Sequence, residues 1–257
     1  MSQVKIEELI ASEGYTVTKD SFYGFERLRF NFQGYNAWIV LPGDYTNESR
    51  PWTWTMQWAE SFVPRTPALH LLRQGWHHVT IDTFNHRMDE QGIKVSQAYY
   101  NFLTSRLSFN KRACLIGMSW GGFFSTRFAI ANPKAVAAIY YDCPLLTFEN
   151  FQEGTRKTIL EAIGPWAETA PESWLNDPRM PLNMAESLAK TEIPIYLVYG
   201  GADRVVPPEN NCEAFIPRYQ AAGGNPIVCK RNLFGHHPHG LEESDQSIAN
   251  FFIQSIQ

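Results

Sequence analysis

The most restrictive feature of this chain is a six-residue turn, Gly117-Met118-Ser119-Trp120-Gly121-Gly122, set between two segments of opposite character. Ahead of it, Ala113 to Gly117 is a short apolar run of the kind a strand buried on both faces shows. Behind it, Trp120 to about Asn132 reads as a helix that Pro133 stops. A serine on so tight a strand-to-helix turn takes up a strained backbone, and Gly117 and Gly121 are expected to remove side chains that would collide where strand and helix crowd together. The hydroxyl is then lifted above the sheet, beside the positive end of the helix dipole.

From about Lys111 onward, short apolar runs alternate with longer amphipathic ones, the pattern of parallel strands joined by crossover helices. The runs Ala135 to Tyr141, Ile193 to Tyr199 and Pro226 to Cys229 read as further strands. Glu209 to Ala222 reads as a helix ending at Gly223 and Gly224, and Leu241 to Ile256 as a last amphipathic helix. The first third differs. Glu26 to Pro42 alternates like an antiparallel pair turning near Gly34, and Trp52 to Trp58 and Trp76 to Asp82 are expected strands leading into the parallel part. The fold class is therefore α/β: a mostly parallel sheet with an antiparallel N-terminal edge and helices on both faces.

The 257 residues, 44% of them apolar, suffice for one sizeable core, and residues 1–257 are read as a single domain. Residues 145–183 break the rhythm with Pro, Trp, Glu and Gly and read as an inserted cap over the strand ends; a long surface excursion is the plainer alternative. No stretch approaches the roughly 18 to 20 uninterrupted apolar residues of a membrane span, and the N-terminus lacks the apolar block of a secretory signal. The chain is expected in the cytoplasm, away from membranes. Its 22 basic and 26 acidic residues, a net charge of −4, are spread without blocks, which argues against nucleic acid as a partner. Cys114, Cys143, Cys212 and Cys229 show no paired spacing and read as reduced thiols, with a disulfide the weaker alternative. Oligomeric state is not legible.

The turn fits the pattern Gly-x-Ser-x-Gly in its diagnostic place, after a buried strand and before a helix. A serine that merely caps the helix, with glycines for packing, would use the same residues. The chemical reading needs a base to take the hydroxyl proton and a carboxylate to hold that base in the right tautomer. Both stand downstream. Asp203, in GGADRVVP, follows an apolar strand, and His236, in FGHHPHG, follows the next one, giving the order Ser, Asp, His. Asp203 has a competing role as the opener of a turn. His236, His237 and His239 together suggest a metal site, although Pro238 interrupts any helical spacing of the three. Within the cluster His236 is favoured because the small Gly235 before it lets the loop approach the serine; His237 is the alternative and is expected to fix the loop by hydrogen bonding. A backbone N–H of Trp120 at the helix start would receive an oxyanion.

The set PWTWTMQWAE, LLRQGW, GMSWGG, YYDCP, YGGADRVVPPEN and GHHPHG resembles the α/β-hydrolase superfamily over nearly the whole chain, from about Gly24 onward. More narrowly it is similar to a group of bacterial hydrolases described as esterases, many tied to carbohydrate breakdown. In that group an arginine commonly follows the serine; Trp120 stands here, so no substrate contact of that arginine carries over. The resemblance implies a second oxyanion N–H at Trp58 or Ala59. Glu60, His86 and Asp142 have plainer explanations as surface or turn residues.

The resulting expectation is a serine esterase with Ser119 as nucleophile, His236 as general base and Asp203 as its orienting carboxylate, acting on a small-molecule ester with no cofactor implied. Trp52, Trp54, Trp58, Trp166 and Trp174 offer stacking surfaces for an acylated sugar, although aromatics more often fill cores. A thioesterase, peptidase or acyltransferase on the same scaffold is the nearest alternative, and a non-catalytic binding protein that retains the fold is another.

Overall fold

The computed structural model describes residues 6–43, 48–149 and 161–256. Nine strands form one sheet: β1 (Thr18–Phe22), β2 (Phe25–Phe32), β3 (Tyr35–Val40), β4 (Trp52–Thr55), β5 (His77–Ile81), β6 (Ala113–Met118), β7 (Val136–Asp142), β8 (Ile195–Gly200) and β9 (Ile227–Arg231). Their order is β1-β2-β3-β5-β4-β6-β7-β8-β9. Strands β1, β2, β3 and β5 pair antiparallel, and every pairing from β5 through β4 to β9 is parallel.

Among the described residues the α-helices with both ends placed are α1 (Ile6–Ser12), α2 (Ala68–Arg73), α3 (Glu90–Ser105), α4 (Trp120–Ala131), α5 (Ala185–Ala189), α6 (Cys212–Ala221) and α7 (Ser247–Ile256). They cover both faces. Leu115, Ile139 and Leu197 face the cluster shared with Phe123, Phe128 and Phe215 of α4 and α6. The alternate residues Cys114, Ile116, Ala138, Tyr140 and Val198 face Leu71 of α2 and Phe252 of α7. Because both sides of β6 are covered, all six of its residues are buried, which explains its unbroken apolar run.

The antiparallel edge is built from two tight hairpins. Gln33 and Gly34 both have positive φ, 52° and 97°, as a two-residue type I′ turn requires, and Asn31 Oδ1 accepts the Gly34 N–H at 2.7 Å. Tyr23 and Gly24 repeat the geometry between β1 and β2. Strand β1 has no counterpart in the sequence reading. Its residues, TKDSF, are exposed except for Phe22, so an edge strand carried no apolar alternation to detect.

Three expected boundaries shift by three residues or more. The strand expected over 52–58 ends at Thr55, because the chain then leaves the sheet through a turn in which Trp58 has φ 62°. The helix expected from Glu209 begins at Cys212, since the Asn211 side chain is occupied by Leu146 N–H and Pro207 O and its backbone is non-helical. The last helix begins at Ser247 rather than Leu241. The Leu241 N–H donates to Arg65 O at 3.1 Å, and Asp245 Oδ1 accepts the Ser247 N–H at 2.8 Å in a turn that precedes α7.

Of the segment expected as a cap, residues 150–160 lie outside the described residues. The rest is tied to α4 by aromatic contacts: Phe148 stacks on Phe123 at 4.6 Å, and Trp166 and Trp174 meet Phe148 at 5.8 and 5.2 Å. All four cysteines are free, three of them buried. No described helix is long and apolar enough to cross a membrane.

Candidate active site

Strand β6 delivers Ser119 to the carboxyl rim of the sheet with φ 50° and ψ −119°, a left-handed conformation costing a non-glycine residue on the order of 1–3 kcal/mol. The neighbouring strand and the following loop hold it there. Ser119 N–H donates to Asp142 O at 2.9 Å, and Ser119 O accepts from Leu145 N–H at 2.8 Å and Gly122 N–H at 2.9 Å. The glycine requirement is only partly as expected. A methyl at Gly117 would lie 2.8 Å from Ser125 Oγ and 3.0 Å from Gly121 O, whereas one at Gly121 would meet nothing nearer than 3.5 Å. The second demanding position is Gly122, where a Cβ would sit 2.3 Å from the Pro144 ring. It is the loop after β7, far along the chain, that crowds α4.

Beyond β8, Asp203 is buried in a turn where its Oδ1 accepts the Val205 and Val206 N–H groups at 2.8 and 2.9 Å. Its Oδ2 stands 2.7 Å from His236 Nδ1. Burial acts to raise the Asp203 carboxyl, but the His236 bond and the two backbone donors outweigh it and hold the group below the ordinary carboxylate range. Beyond β9, His236 is itself buried, and its Nε2 lies 3.0 Å from Ser119 Oγ. Three residues separated by 84 and 33 positions thus form one hydrogen-bonded chain.

What brings the histidine loop in is not the smallness of Gly235, which has room for a Cβ at 3.7 Å from Ala202 O. The position that admits no side chain is Gly200, the last residue of β8, where a Cβ would stand 2.3 Å from the carbonyl oxygens of both Phe234 and Gly235. His237 is exposed; its ring stacks on Phe62 at 5.3 Å and meets His236 and His239 edge to face at 4.8 and 5.0 Å, so the contacts it shows are ring contacts rather than the expected hydrogen bonding.

Ligand atoms of His236, His237 and His239 lie within 4.8 Å of one another, as do those of Asp142, Cys143 and His239. Both His236 nitrogens are engaged, Nδ1 by Asp203 and Nε2 by Ser119, so an ion held through His236 would break one of those bonds, whereas His239, engaged by Asp142 through Nδ1, has Nε2 to offer.

Trp120 opens α4, and the 57–59 turn lies against the same helix start, with Gln57 N 3.5 Å from a Cβ placed on Gly121. The Trp58 ring rests on Phe84 at 5.0 Å, and Phe84 meets Trp120 at 5.5 Å. Ala59 packs at the margin of the cluster around Trp38 and Val63. A cavity of about 430 Å³ opens beside this turn, lined by Gln57, Trp58, Glu60, Thr80 and Phe84 among others. Glu60 accepts from Arg27 and Arg29, and His86 Nε2 pairs with Tyr35 OH at 2.7 Å, so both have structural partners.

Two further sequence readings need correction. Asp142 is no surface or turn residue: it ends β7 wholly buried, with its carboxylate accepting from His239 Nδ1 at 2.8 Å, Tyr140 OH and Gly240 N–H. Its place inside the apolar run before CysPro was the one available signal, a charged residue where only core was expected. Of the five tryptophans offered for sugar stacking, Trp52, Trp54, Trp166 and Trp174 are core residues; Trp58, 42% exposed, alone reaches solvent.

The sheet order, the strained serine turn and the helices on both faces define an α/β-hydrolase fold. Solved structures with this fold include a Bacteroides ovatus protein provisionally assigned as a dipeptidyl aminopeptidase IV, at 14% identity and TM-score 0.65 over 93% of this chain and 36% of that one. An acylaminoacyl peptidase of Pyrococcus horikoshii matches at 13% and 0.59, covering 90% of this chain and 39% of its own. Dipeptidyl peptidase 4 of Porphyromonas gingivalis matches at 14% and 0.60, covering 94% and 34%. The chain therefore spans well under half the length of these neighbours, and at such identities the likeness concerns the fold. No family model and no curated protein matches the sequence.

Proposed function

We propose that this chain is a serine hydrolase that cleaves carboxylic esters through an acyl-enzyme. The observation that carries the reading is the unbroken path from Asp203 through His236 to Ser119, at 2.7 and 3.0 Å, at the mouth of α4. With its Nδ1–H donated to an ionised Asp203, the His236 ring presents Nε2 as acceptor for the Ser119 proton. Ser119 Oγ attacks the ester carbonyl, its proton passes to His236, and the Trp120 N–H, with Trp58 or Ala59, receives the oxyanion. Collapse breaks the ester C–O bond, and His236 returns the proton to the leaving alcohol. Water then gives its proton to His236 and attacks the acyl carbonyl, releasing the acid and regenerating the serine.

An amide bond is the second reading, favoured by the peptidase names of the fold neighbours. Turnover of matched ester, thioester and amide substrates separates the two. For the alcohol part, an acylated sugar is supported by Trp58, exposed at the edge of the cavity beside the turn. The decisive experiment is Ser119→Ala, which removes one oxygen. Loss of p-nitrophenyl acetate hydrolysis and of fluorophosphonate labelling upholds the proposal, and parental hydrolysis by that variant overturns it.

A further inference from the structure

The structure holds a second buried carboxylate–histidine pair that the reaction above does not use. Asp142 and His239 are 0% and 3% exposed, and Asp142 Oδ1 lies 2.8 Å from His239 Nδ1. The same carboxylate accepts the Gly240 N–H and the Tyr140 hydroxyl proton. Burial acts to raise this carboxyl, and the His239 interaction together with the Tyr140 and Gly240 donors holds it below the ordinary range, so Nδ1 of His239 carries the proton between them.

Asp142 also touches the other half of the site. Its main-chain carbonyl accepts the Ser119 N–H at 2.9 Å, and it stands beside Met118 in the β6–β7 register. One residue thus grips the serine turn through its backbone and the histidine loop through its side chain. From the opposite side Arg65 Nε donates to His239 O at 3.0 Å, and Arg65 O accepts the Leu241 N–H. The His239 ring in turn meets the His236 ring edge to face at 4.7 Å and 78°.

We infer that Asp142 and His239 are positioning residues, a buried bracket that sets the separation between the serine turn and the loop carrying His236. This rests on the reading of Ser119 as nucleophile. In an acyl-enzyme the Ser119 oxygen has lost its proton and is esterified, so the 3.0 Å bond that ties His236 to it is gone when water must be activated. The bracket is made of atoms that take no part in the reaction. It persists through that step and keeps the imidazole where the water needs it.

Two variants that differ only in where an amide N–H sits provide the test. In His239→Asn the amide nitrogen falls near the place of Nδ1 and can donate to Asp142; in His239→Gln it lies one bond further out. Misplacing a catalytic group costs up to about a hundredfold in rate, so H239Q should lose about tenfold or more in kcat. KM should fall alongside it because slowed deacylation lets the acyl-enzyme accumulate, while the rate of fluorophosphonate labelling, which reads only the first attack, falls less. H239N should stay within about threefold of the parent. Parental kcat in H239Q, or equal losses in both variants at parental melting temperature, overturns the inference. Should a variant fail to fold, long-range 1H–15N spectra of the unmutated protein decide: His239 protonated on Nδ1 upholds the bracket, and protonation on Nε2 alone overturns it. Ser119→Ala keeps the two failures apart. If that variant is inactive while H239Q is not, the bracket falls and the nucleophile stands.

Discussion

Gly200 lies directly beneath the main chain of Gly235, so close that a methyl on its Cα would stand 2.3 Å from the carbonyl oxygens of Gly235 and its neighbour Phe234. Both atoms it would strike are backbone, so nothing as cheap as a side-chain rotation relieves the contact. Gly200→Ala should cost about 1–3 kcal/mol of stability, the usual price of overpacking, and should reduce ester turnover by moving the loop that bears His236. Gly235→Ala, with 3.7 Å of room, should leave turnover close to parental. Thermal melts and p-nitrophenyl acetate kinetics on the two variants check this; equal behaviour would refute the packing argument.

Asp203 accepts from both His236 and two backbone amides, so Asp203→Asn keeps the shape of the turn while removing the charge that orients the imidazole. The expected loss in kcat is about 10³- to 10⁴-fold, by the wrong-tautomer mechanism. Circular dichroism should show an unchanged fold. A loss below tenfold would mean that Asp203 merely shapes the turn.

His77 and His78 are buried in β5, and desolvation pushes both down to about 3. Among the described residues neither ring nitrogen of His77 has a hydrogen-bond partner, while His78 Nδ1 meets Thr53 Oγ1 at 2.7 Å. In the unfolded chain both bind protons from about pH 6.5 downward; in the folded chain they do so only near pH 3. Stability is therefore fully present above pH 6.5 and falls as the pH drops toward 3, by about 1.4 kcal/mol per pH unit for each histidine. His77→Phe should remove about half of that slope. Denaturant melts between pH 4.5 and 6.5 measure it, and an unchanged slope in the variant would rule the mechanism out.

Trp54 and Trp58 sit four residues apart on the same stretch and should respond in opposite ways. Trp54 is fully buried, its ring 5.0 Å from Phe128, so Trp54→Ala should cost about 3–5 kcal/mol of stability. Trp58→Ala, at an exposed position, should change stability by less than about 1 kcal/mol. If the cavity beside Trp58 takes a sugar, this variant should raise KM for a sugar acetate more than for p-nitrophenyl acetate. Equal shifts for the two substrates would count against acylated sugars.

What the sequence determined by itself was local and periodic. The apolar run of β6, the serine on its turn and the helix that Pro133 stops are legible because each is written in neighbouring residues: an unbroken apolar run, the glycine at a crowded turn and a proline that ends a helix. The order Ser119, Asp203, His236 along alternating strands follows from the same periodicity. Strand β1 escaped because an exposed edge imposes no pattern on its residues. The tertiary structure alone decided which distant groups became neighbours. Asp142 meets His239 across 97 positions, Gly200 rather than Gly235 makes room for the histidine loop, and four of five tryptophans turn into the core. Such relationships depend on how whole strands and loops settle against one another. Close packing at that level is a property of the assembled chain, and no local run of residues encodes it.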